Sequence, residues 1–91
     1  MPDGLELLRT TPTWDEVSVP AALRRNHRVA SATWGLLRVA SGSLRFVANT
    51  EPITDVELHA GSTQPIPPDV EHHVDVAGPV RFAVGFLGQP A

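Results

Sequence analysis

Val80-Arg81-Phe82-Ala83-Val84-Gly85-Phe86-Leu87 places Val80, Phe82, Val84 and Phe86 at every second position, with Arg81, Ala83 and Gly85 between them. A period of two belongs to a strand, whose successive side chains leave opposite faces, so the stretch predicts a β-strand that walls the core. The same pattern recurs upstream. Gly78-Pro79 joins this strand to one over His72–Ala77. Val56 and Leu58 alternate with charged neighbours over Asp55–His59, which Gly61 closes. Leu37 and Val39 stand against Arg38 in Thr33–Ala40, and Leu44 and Phe46 against Ser43 and Arg45 in the next segment. Ser41-Gly42 between those two predicts a β-hairpin turn, with Arg38 and Arg45 facing each other across it, because glycine reaches the positive φ of a tight turn. Leu5, Leu7 and Arg9, set against Glu6 and Leu8, give a weaker first strand. Pro20-Ala21-Ala22-Leu23 has the composition of a single helical turn.

About seven short strands with turn residues every ten positions point to an all-β sandwich or barrel. Nine prolines and seven glycines in 91 residues oppose long helices. The length suits one domain over residues 1–91, burying about 60–65 % of the surface its unfolded chain exposes. A formal charge of -3 argues against nucleic acid or an anionic membrane as the main partner. All seven cations are arginines, so lysine chemistry is excluded, and the lack of cysteine removes disulfides, thiolate ligands and thiol nucleophiles. Met1-Pro2-Asp3-Gly4 has no signal-peptide character, and no apolar run reaches the ~20 residues that span a bilayer; the expectation is a cytoplasmic protein. Edge strands of a small β-domain favour pairing with another copy, and a homodimer is expected.

The densest local signal is Gly61-Ser62-Thr63-Gln64-Pro65-Ile66-Pro67-Pro68-Asp69-Val70-Glu71-His72. A turn, a proline-stiffened bend and an inward-aimed histidine follow the spacing of the second cupin motif, with Asp69 at the usual glycine. Aspartate reaches a left-handed turn more readily than most residues. Val76 occupies the position of that motif's asparagine. Upstream, Asn26-His27-Arg28-Val29 before Trp34-Gly35 and Gly42 loosely matches the first cupin motif, with His27 as its first histidine.

A wider likeness runs from about Trp14 to Phe86. The runs Val19–Arg28, Thr33–Val39, Gly42–Phe46, Pro67–Val74 and Gly78–Phe86 together resemble the small cupin-like domain related to tellurite-resistance protein B. That resemblance implies an all-β, cupin-like double-stranded β-helix (jelly-roll barrel or sandwich). It implies a pocket protein that binds a divalent metal or a small anionic ligand in a stress or tellurite/oxyanion response. The alternative is a metal-free binding or interaction module that keeps the fold. His27 and His72 match the family's histidine ligands, while the acidic ligand position falls on Gly85, so any zinc or nickel is expected to be weakly bound. His59, Glu71 and His73 are the remaining donors, but His72 and His73 leave a strand on opposite faces.

Arg25, Trp34 and Gly85 are the expected ligand-pocket residues. Arg24, Arg25 and Arg28 flank His27, where a guanidinium fork suits an oxyanion; the other reading is a solvated basic turn. Trp14 and Trp34 either stack on a ligand or cap and fill the core. No complete acid–base or nucleophilic set is visible, so enzymatic activity stays open.

Overall fold

A computed structural model describes residues 1–25, 27–29 and 32–89. Seven antiparallel strands form one sheet: β1 (Glu6–Thr10), β2 (Trp14–Asp15), β3 (Trp34–Ala48), β4 (Thr54–His59), β5 (Thr63–Ile66), β6 (His72–Asp75) and β7 (Val80–Gly88). The helical turn expected near Pro20 is a 3₁₀ turn at Ala21–Arg24, which buries Leu23. No helix among the described residues is long and apolar enough to cross a membrane.

The fifteen-residue β3 is the spine. Its first half lies between β5 and β7, and its second half between β4 and β6. Strands β1 and β2 extend the first half beyond β7. The two halves meet at Ala40–Gly42 of the unbroken β3, beside the breaks between β4 and β5 and between β6 and β7. The hairpin expected at Ser41-Gly42 is therefore absent. The chain runs straight through, and the glycine serves a bulge that shifts the β3–β7 register between Val39 and Ser41.

That bulge lets both halves face one core. Val39 and Leu44 are five residues apart, so strict alternation would put them on opposite faces. The extra residue restores Leu44, Phe46 and Ala48 to the face of Leu37 and Val39, and all five are buried. Gly42 has φ +71, and a Cβ built on it would lie 2.0 Å from the Pro79 carbonyl oxygen. No other residue fits the corner. Arg38 and Arg45 consequently do not meet: Arg38 pairs with Thr63 and Ala83, and Arg45 with Glu57 and Asp75.

Val80, Phe82 and Val84 of β7 are buried as their alternation predicts, and they pack with Leu37, Phe46, Leu58, Ile66 and Val74. The first strand departs from its simple reading. A register shift between Leu7 and Arg9 puts Leu7 opposite Leu87 but Arg9 opposite Phe86. Leu7 therefore faces outward and Arg9 inward.

Candidate functional site

The concave face of the bent sheet is filled in its second half and open in its first. A cavity of about 340 Å³ lies there, walled by Leu23, Val29, Leu37, Ile66, Val74, Val84 and Phe86. Two imidazoles, those of His27 and His72, line it, as do Arg9, Thr10 and Thr11.

The two histidines are brought together by backbone pairing. His27 N–H donates to the His72 carbonyl and His72 N–H to the His27 carbonyl, each at 2.8 Å. A reciprocal antiparallel pair directs both side chains to the same face. The ring centroids lie 5.3 Å apart at 76°, edge to face. The segment around His27 is held by the loop before β6: Asp69 N–H donates to the Val29 carbonyl, and the Arg28 guanidinium donates to the Asp69 carbonyl and to Glu71 Oε1. Asp69 has φ +60, the left-handed turn for which aspartate was the tolerated substitute. Its bend turns the chain from the proline run into β6.

His72 is almost wholly buried, stacked on Phe46 with centroids 5.8 Å apart. Burial holds its pKa below the ordinary histidine value; its bond to Val70 opposes this and the neighbouring His27 adds to it. Its Nδ1 lies 3.2 Å from the Val70 carbonyl oxygen. A carbonyl only accepts, so Nδ1 carries the proton and the neutral ring keeps its lone pair on Nε2. His27 Nδ1 is buried without a hydrogen-bond partner. An unpaired buried polar atom costs about 1–3 kcal/mol.

Arg9 was not among the residues expected at the site. Its guanidinium lies 4.5 Å from the centroid of the Phe86 ring and, among the described residues, has no carboxylate partner. A second cavity of about 330 Å³, bordered by Arg9, His27, Arg28 and Phe86, adjoins the first. Arg9 therefore stands where the two meet. The bulge at Leu8 hides this from a plain alternation reading.

Other expected residues lie elsewhere. Arg25 is exposed and does not line the main cavity, and Arg24 and Arg28 are spent on the Glu16 carbonyl and Glu71 at the surface. Trp34 and Gly85 oppose Leu87 and Leu36 on the outer face of the sheet. Gly85 must point away from the histidines because Val84 and Phe86 point toward them. Trp14 does line the cavity, edge-on to Phe82 with centroids 5.8 Å apart. His59 is exposed, and His73 is on the outer face with its Nε2 3.6 Å from Asp75.

The donor set does not complete a metal centre. His27 and His72 supply two nitrogens, and no group of three or more His, Cys, Asp or Glu that could hold an ion exists among the described residues. A stable first-row site takes three or four ligands.

Comparison with known proteins follows the same geometry. The model of the TehB-like domain matches residues 9–84. The chain belongs to the TehB-like domain family. Among solved structures, a structural-genomics protein from E. coli strain K12 superposes with a TM-score of 0.87 at 19% identity, covering 100% of this chain and 97% of that one. TehB from Haemophilus influenzae superposes with a TM-score of 0.84 at 24% identity, covering 98% of this chain and 33% of that one. This TehB-like chain thus spans about a third of the Haemophilus protein, and at such identities the likeness is one of fold. No curated protein sequence matches it.

Proposed function

We propose that this TehB-like domain is a cupin-like, double-stranded β-helix pocket protein that binds a small organic anion in the cavity beneath His27 and His72. The observation that carries the reading is a cavity of about 340 Å³ with apolar walls, two imidazoles in its lining, and the guanidinium of Arg9, which has no carboxylate partner among the described residues. Apolar walls favour a ligand with an apolar body, since that surface leaves water at about 25 cal/mol per Å². Arg9 supplies a planar fork for a carboxylate or other oxyanion. The lone pair on His72 accepts a hydrogen bond from a hydroxyl or amine on the ligand. A compact inorganic oxyanion such as tellurite meets Arg9 but gains nothing from the walls, and its desolvation opposes entry.

The test uses Trp14 fluorescence in a Trp34→Phe background, with benzoate and tellurite as probes. Saturable quenching by benzoate, lost in Arg9→Ala and weakened in His27→Ala, is expected, with tellurite at least tenfold weaker. No response to benzoate, or one unchanged by Arg9→Ala, contradicts the reading. Zinc and nickel, followed by calorimetry on untagged protein, are expected to bind weakly because two imidazoles leave most of the shell to water.

A further inference from the structure

The outer face of the sheet's first half is apolar where an antiparallel sheet exposed to water is normally polar. Leu7, Leu87 and Trp34 form one row across β1, β7 and β3; Thr10, Gly85, Leu36 and Pro65 form the next, with Thr10 its one polar member. Leu7 is 61% exposed. Arg38 is the one charge in the row after that, beside Ala83 and Thr63. At the centre Leu36 stands directly opposite Gly85, a projecting side chain beside a position with none. The gap at Gly85 is a groove of about 410 Å³ bordered by Leu7, Thr10, Leu36, Arg38, Ala83 and Leu87, with the end of the Leu7 side chain leaning over Gly85.

We infer that this face binds a second copy of the chain, sheet against sheet, with Leu36 of each protomer seated in the Gly85 groove of its partner. A projection and a hole in register on neighbouring strands are self-complementary under a two-fold axis that runs along the strands between β3 and β7. That operation places β3 over the partner's β7, so both holes are filled at once and one patch serves both protomers, as closed two-fold symmetry requires. With five residues in β1, nine in β7, four in β5 and about seven in the first half of β3, strands about 4.8 Å apart cover about 400 Å² in plan, with more accessible area because the side chains stand in relief. This lies toward the small end of the roughly 800 Å² per partner of a standard interface, so the dimer should be reversible and concentration-dependent. The pairing is independent of ligand binding, because the cavity opens on the other side of the sheet.

Sedimentation velocity over a concentration series tests it. The unmodified chain should move from monomer to dimer, and Leu36→Glu should weaken association by at least about 100-fold, since it buries two carboxylates in an apolar contact. Gly85→Leu fills the hole and should weaken association too; the added Cβ meets only the end of the Leu7 side chain, at 3.0 Å, which can turn away. Exchanging projection and hole in Leu36→Ala/Gly85→Leu should recover association relative to Gly85→Leu. Circular dichroism confirms that each variant is folded. A strict monomer, a dimer indifferent to Leu36→Glu, or an exchanged pair no tighter than Gly85→Leu overturns the proposal.

Discussion

The two halves of the bent sheet share one spine and one core, yet they use their surfaces in opposite ways. In the second half the interior is closed by Leu44, Phe46 and Leu58, and the exterior carries Arg45, Asp55, Glu57, His73 and Asp75. Arg45 makes a two-pronged pair with Asp55, both bonds 2.6 Å long. In the first half the interior is open around the cavity and the exterior is apolar. Alternation alone does not separate them, since inward positions of both halves are filled by the same residue types. Fully buried side chains lie in both halves, Leu37, Ile66, Val80 and Phe82 in the first and Phe46 and Val74 in the second, and the cavity lies beside those of the first.

Removing the hinge should have the largest effect. Gly42→Val drives a side chain into the Pro79 carbonyl at a positive φ and should cost about 4 kcal/mol or more, read by chemical denaturation. A cost below about 1 kcal/mol would mean that the corner can be rebuilt without glycine. Next, Phe46→Ala in the filled half should lose about 3–5 kcal/mol, whereas Phe86→Ala at the open half's mouth should lose about 1–2 kcal/mol because the ring is only half-buried. Equal losses would erase the distinction between the halves.

The pH dependence is smaller and has a fixed sign. The folded-state pKa of His72 lies below the ordinary histidine value of about 6.5, so between the two values the unfolded chain binds more protons. The stabilisation is full above about pH 6.5 and is lost as pH falls from there through the folded-state value. His72→Phe should flatten that part of the stability curve. Paired denaturation series at falling pH measure it; an identical slope in both proteins would show that another group is responsible. The smallest effect is expected at Arg45→Ala, whose ion pair is exposed and screened, leaving the melting temperature nearly unmoved.

Much of this arrangement is legible in the chain. The alternation of Val80, Phe82 and Val84 marks the strand that walls the core, and the spacing from Gly61 to His72 marks the buried histidine and the left-handed turn at Asp69. The hinge was misread because a glycine at positive φ serves a bulge as well as a hairpin turn. The choice between them is made by partners far away: residues 54–66 and 72–88 flank β3, leaving no edge for it to pair with itself. Gly85 was expected in the pocket through family likeness and Trp34 as a ring that could stack on a ligand, although the alternation that sends Val84 and Phe86 inward already sends Gly85 out. Arg9 was missed because one extra residue at Leu8 reverses the facing of the strand, and nothing local to Leu5–Thr10 announces it. Dimerisation was expected at strand edges, where unpaired backbone groups lie; the apolar rows of the outer face become visible only when β1, β7, β3 and β5 are set side by side.

Histidine-selective NMR during a benzoate titration tests most directly whether the open interior is the binding site. The four histidines divide as the two surfaces do, with His27 and His72 facing the cavity and His59 and His73 outside it. The ring signals of His27 and His72 should shift together and saturably while those of His59 and His73 stay fixed; movement of the outer pair, or of none, would contradict the account.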